Sequence, residues 1–119
     1  MKYLLLIYEN EASFANIPAA EQGKIFQEYM DYSRGIVKSG NYIAGEALEP
    51  IATATTVRVK NGKTLTTDGP FAETKEQLGG FYMVEAKDLD EAIKLAAGIP
   101  ASRTGSIEVR PIMPTPPIE

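Results

Sequence analysis

A single α+β domain is what the 119-residue sequence predicts, on three observations. Short apolar runs of β type are interrupted twice by segments of helical period. A strong two-residue turn signal, Asn61-Gly62, splits a β-branched stretch in the middle of the chain. No linker or internal repeat divides the sequence. A chain of this length buries roughly two thirds of the surface its unfolded form exposes, enough for one modest core.

Each element has its own reason. Tyr3 to Tyr8 is a short run bounded by Lys2 and by Glu9-Asn10-Glu11, and it reads as a strand apolar on both faces. A loop follows. Pro18 suits the first helical position, and Ala19 to Lys38 carries the helical period. Ile25, Tyr29, Tyr32 and Ile36 form one stripe, with Phe26, Met30, Ser33 and Val37 beside it. Together they make an apolar face wide enough to cover a sheet. Gly40 ends the helix, and Gly35 in its interior is read as a point of close packing.

Asn41 to Leu48 returns as a second strand closed by Pro50, and Thr53 to Val59 and Lys63 to Thr67 are the two arms of a hairpin. Its register has two readings. A two-residue loop at Asn61-Gly62 puts Asp68 on the face of Val57 and Val59, whereas a three-residue loop with Gly62 left-handed puts Val59 opposite Leu65. The second groups the apolar residues better and is preferred. After the break at Asp68-Gly69-Pro70, Phe71 to Leu78 is a loop or one helical turn stopped by Gly79-Gly80, and Phe81 to Val84 is a strand with large residues on both faces. Asp88 and Glu91 have capping-box spacing at the head of a second amphipathic helix, which Gly98 and Pro100 terminate. Ser106 to Pro111 is the last strand, and residues 113–119 are an extended, Pro-rich tail.

This order is the split βαβ-βαβ plan of ferredoxin-like domains, with an extra hairpin. Two helices cover one face of such a sheet. The first strand and the strand at Phe81 place large side chains on both, and burying each is worth about 1.5–3 kcal/mol. The economical cover for the second face is the same face of another copy, so a two-fold homodimer with sheets packed face to face is expected.

Composition narrows the chemistry. The chain contains no His and no Cys. That removes disulfides, thiolate nucleophiles, imidazole bases and ordinary transition-metal sites, so no metal and no cofactor is expected. Proton transfer falls to a carboxylate, Tyr, Lys or the amino terminus. A net charge of -4 without a basic cluster argues against nucleic acid. The first apolar run is too short for a secretory signal, and no stretch is long enough to span a membrane, so a soluble cytoplasmic protein is expected.

The stretch Asp68-Gly-Pro-Phe-Ala-Glu-Thr-Lys-Glu-Gln-Leu-Gly-Gly-Phe-Tyr82 resembles the YCII-related family, in the branch marked by its Asp-Gly-Pro-Phe motif. The likeness extends to Gly45-Glu46-Ala47-Leu48, Ala54 to Arg58, Leu89 to Ala92 and Val109-Arg110-Pro111. The resemblance implies a dimeric α+β barrel and small-molecule chemistry of isomerase or lyase type. It also implies, as an alternative, a regulatory module that contacts a protein partner linked to extracytoplasmic-function sigma factors. Some members of the wider family are proposed to use a His and Asp pair, which this His-free chain lacks.

Asp68 and Glu46 are the candidate catalytic carboxylates. Asp68 ends a strand beside a Gly-Pro turn, where partial desolvation raises a pKa; the plainer reading is a turn former. Glu46, if its strand is buried, needs a partner such as Arg58 or Arg110. The expected small organic ligand, polar or aromatic, is walled by Tyr8, Arg58 and Phe71, with Glu73 and Lys75 presenting charge or forming a solvated face. Dinucleotide binding is excluded, because Gly79-Gly80 precedes a strand instead of following one.

Overall fold

The computed structural model describes residues 1–118. Strand β1 (Lys2–Glu9) is followed by a short helix α1 (Glu11–Ala15), the long helix α2 (Ala19–Lys38) and strand β2 (Tyr42–Ala47). The hairpin strands β3 (Thr55–Lys60) and β4 (Lys63–Asp68) come next, then β5 (Gln77–Glu85), α3 (Leu89–Ala97) and β6 (Ser106–Pro111). Four strands form an antiparallel sheet in the order β2-β5-β1-β6, while β3 and β4 make a separate two-stranded ribbon. With the ribbon set aside, this is the strand order of a ferredoxin-like α+β fold.

Alternation along β1 sets the two faces. Tyr3, Leu5 and Ile7 are buried under the helices with Tyr82, Val84, Ile36, Ala92, Ala96 and Ile99. Leu4 and Leu6 point the other way, opposite Met83 and Phe81 of β5, and they stay half-buried because no helix among the described residues covers that face. The large residues on both faces of the central strands are therefore present as expected.

The capping box at α3 forms as its spacing requires, with the Asp88 carboxylate accepting from the Glu91 amide at 2.9 Å and Glu91 accepting from the Lys87 amide at 3.0 Å. Ser106 to Pro111 is the last strand. Several local readings are corrected. Pro18 is the N-cap of α2 and not its first helical residue. The segment after β1 contains α1, whose Asn10 cap accepts from the Ser13 amide at 2.9 Å. Residues 51–53 are a 3-10 turn, so β3 starts at Thr55. Strand β5 begins at Gln77 and runs through Gly79-Gly80, so those glycines interrupt no helix.

The hairpin adopts the two-residue loop and not the three-residue loop preferred on apolar grouping. Lys60 pairs with Lys63 and Val59 with Thr64, and Asn61 and Gly62 have φ of 52° and 76°. Two successive positive φ values are the type I′ turn that Asn-Gly favours. Asp68 consequently sits opposite Thr55, on the face of Val57 and Val59.

Gly35 is also not a packing point, since a Cβ there meets nothing within 4 Å. Gly35→Ala is therefore expected to stabilise the chain by about 0.5–1 kcal/mol through helix propensity alone, read as a higher urea midpoint at unchanged slope.

Candidate functional site

Helix α2 offers two apolar stripes, and only one is used by the core. Ile36 is buried, and Tyr29 and Tyr32 pack against the core cluster. The neighbouring stripe does not cover the sheet as expected: Phe26 is 68% exposed and Val37 57%. The reason lies beneath it. Tyr82, Gly80, Gly45 and Ala47 share the helix-facing side of β5 and β2, so two of the positions under the helix have no side chain. The result is a groove of about 890 Å³ between α2 and the β2 edge, which also takes in Phe14 of α1 and Leu48.

The glycines of the floor are required by close approach. A Cβ on Gly45 would lie 2.8 Å from the Tyr82 ring, and one on Gly80 would lie 2.9 Å from the Glu46 carbonyl oxygen. Real Cβ atoms do not come so close, and the backbone contact at Gly80 has no flexible side chain to yield. Floor glycines and an α2 stripe without a landing site thus arise from one packing solution.

Polar groups enter this apolar space at defined points. The Ser33 and Tyr82 hydroxyls are 2.7 Å apart and form a hydrogen-bonded pair on the groove wall. The Tyr82 ring meets Tyr32 and Tyr42 edge to face, at centroid distances of 5.2 and 6.4 Å. Tyr32 donates to the Leu95 carbonyl at 2.6 Å. Burial pushes the Tyr29 phenol up to about 12, with the Glu9 carboxylate adding to the rise. Burial likewise raises Tyr32 and Tyr82. These phenols stay protonated at any ordinary pH and act as hydrogen-bond donors, not bases.

Among the acids along the groove, Glu9 is the one whose proton affinity is shifted. It lies where β1 leaves the sheet, with the Thr104 hydroxyl donating to Oε1 at 3.4 Å. Its pKa is raised, chiefly by burial; the Thr104 hydrogen bond opposes this and the nearby Glu76 adds to it. The folded state therefore binds the Glu9 proton more tightly than the unfolded chain. Any stability from this site is complete below the ordinary carboxylate range and is lost as pH rises through the folded value. Glu9→Gln is accordingly expected to raise the melting temperature at pH 7, and the difference should close below about pH 4, where both states of the wild type are protonated.

The residues selected from the sequence are scattered. Glu46 is on the groove but exposed on the edge strand, and it makes no ion pair with Arg58 or Arg110 among the described residues. Arg110 pairs with Glu108 instead. Tyr8 is half-buried on the open face of the sheet, between Leu78 and Ser106. Arg58 and Asp68 are exposed on the ribbon, and Glu73 and Lys75 are exposed in the loop after it. Phe71 in that loop is 80% exposed. None of these last five lines the groove.

Sequence reasoning missed Glu9, Ser33, Tyr82 and the two floor glycines as one constellation. One signal was present. Glu9 has the strand parity of Leu5 and Ile7, which places a carboxylate on the buried side. Among the described residues no group of His, Cys, Asp and Glu could hold a metal ion, and no helix is long and apolar enough to cross a membrane.

A protein of Rhizobium meliloti (strain 1021), described as uncharacterized, is 37% identical over 114 residues, spanning 94% of this chain and 92% of its own length. The profile of the YCII-related domain matches residues 1–116. A match over almost the whole chain, motif included, places this protein in the YCII-related family.

Proposed function

We propose that this protein binds a small organic molecule in the groove above Gly45 and Gly80, and that it does so as a homodimer. The ligand has an apolar or aromatic body and at least one hydrogen-bonding oxygen or nitrogen. What supports the reading is one combination in one place: an apolar groove of ligand size, a protonated phenol and hydroxyl pair on its wall, and a carboxylate with a raised pKa at its end. This set suits cofactor-free proton transfer, with Glu9 exchanging the proton and the Ser33 and Tyr82 hydroxyls steadying an oxyanion. Glu46 lies at the groove edge but pairs with Phe81 on the open face of the sheet, so its carboxylate takes no part in this chemistry.

The dimer follows from the open face of the sheet, where Leu4, Leu6, Phe81 and Met83 lie side by side without a helix over them. The same face of a second copy is the self-complementary cover, and it gives the dimeric α+β barrel.

The groove is tested with Nile red, a neutral aromatic dye that brightens and shifts to the blue in apolar surroundings. Saturable binding is expected, weakened at least tenfold in Ala47→Trp, where an exposed edge residue opposite Gly80 is enlarged to fill the floor. An unchanged titration with the Trp variant overturns the groove as the binding site.

A further inference from the structure

The ribbon β3–β4 has no body of its own to lie on. Every residue of β4 is exposed, as is every residue of β3 except Thr56. Val57 is 59% exposed and Val59 69%, and both are on one face. Hydrogen bonds to the chain at its root, Gly69 amide to Ala54 carbonyl at 2.7 Å and Thr56 hydroxyl to Gly69 carbonyl at 2.8 Å, fix its base only. A lone two-stranded ribbon is marginal in water and needs a packing surface. The molecule is correspondingly extended: its radius of gyration is 16.5 Å, against about 13 to 14 Å for a compact chain of this length.

We propose that the ribbon of each copy roofs the groove of a second copy, so that the ligand site is completed in trans; this rests on reading the groove as a ligand site. Three matches carry it. Both surfaces are apolar and uncovered within one chain, Val57 and Val59 on the ribbon and Phe26, Met30 and Val37 on the groove. Their lengths agree, since a six-residue strand spans about 20 Å and the helix from Phe26 to Val37 rises about 17 Å. Their charges are complementary. Lys60 and Lys63 flank the ribbon tip on the face away from the valines, and Asp68 stands at the root on the valine face. The groove is acidic at the end of Glu9 and Glu11, with Arg34 and Lys38 at the other end.

The tip then lies toward the Glu9 and Glu11 end of the second copy's groove, the valine face over its Phe26 and Met30, and Asp68 at the root toward its Arg34 and Lys38.

The absence of Cys makes the test clean. Val59→Cys and Phe26→Cys chains carrying different mass tags are mixed, exchanged and treated with a short bismaleimide. The expected product joins one chain of each kind, and Val57→Lys in the Val59→Cys chain should lower its yield at least fivefold. Absence of the mixed product, or a dominant product joining two Val59→Cys chains, overturns the roof. Nile red keeps the two readings apart: mixed product without dye binding in the wild type retains the roof and removes the ligand site, while dye binding in the groove without mixed product does the reverse.

Discussion

Gly105→Ala is expected to lower stability by about 2–4 kcal/mol, a large share of the 5–15 kcal/mol that holds a domain of this kind together. Gly105 sits just before β6, and its amide donates to the Ala101 carbonyl at 2.7 Å. A Cβ at this position would overlap the carbonyl oxygen of Tyr8 and lie 2.8 Å from Glu9 Cγ. The obstruction is backbone, so a side-chain rotation cannot relieve it. Either β6 shifts away from β1, losing the pairing of Tyr8 with Ser106, or the end of β1 moves and carries Glu9 with it. Urea denaturation should show a midpoint lower by more than about 1 M. A midpoint equal to that of the wild type would mean that the two strands are not so closely apposed.

Leu6→Glu is expected to weaken the proposed dimer at least about 100-fold, which corresponds to about 2.7 kcal/mol. Leu6 lies on the open face between Phe81 and Glu108. A carboxylate there is buried without a partner in each copy, and it faces the like charge of Glu108 within its own sheet. Sedimentation equilibrium across the micromolar range reads the change, with circular dichroism confirming that each monomer stays folded. A second variant, Leu4→Glu, charges the same face but sets its carboxylate opposite Arg110, which spares the monomer. Both variants should sediment as single chains at concentrations where the wild type is paired. A wild type and variants of the same mass would remove the sheet face as the interface.

How far the residues announced this arrangement depends on whether the deciding interaction was local. The Asp88 and Glu91 cap, the strand from Ser106 to Pro111 and the turn at Asn61-Gly62 are decided within a few residues, and each was legible. The hairpin register was misjudged because grouping Val59 with Leu65 assumes a body beneath the ribbon that rewards an apolar face. Among the described residues no such body exists, so the positive φ values favoured by Asn-Gly decide the pairing. The second stripe of α2 was read as sheet cover for a similar reason. Its apolar period is real, but only the pairing of Gly45 with Tyr82 and Ala47 with Gly80 shows that the sheet offers it no side chains.

The site was less legible still. In sequence Asp68 stands out as a carboxylate at a strand end beside a Gly-Pro turn, yet the structure puts it at the end of an exposed ribbon, away from the groove. In sequence Glu9 is only the residue that stops an apolar run. Its burial comes from Gly105 and Thr104, almost a hundred positions away in the chain, and no spacing rule reaches that far.

The most direct test of the account is to map ligand contacts by NMR while an aromatic probe of the Nile red type is titrated into isotopically labelled protein. Amide shifts are predicted to concentrate at Gly45, Ala47 and Gly80, with accompanying changes at Ser33 and in the ring signals of Tyr82. Shifts confined to Leu4, Leu6 and Met83 on the open sheet, with the glycine floor silent, would contradict it.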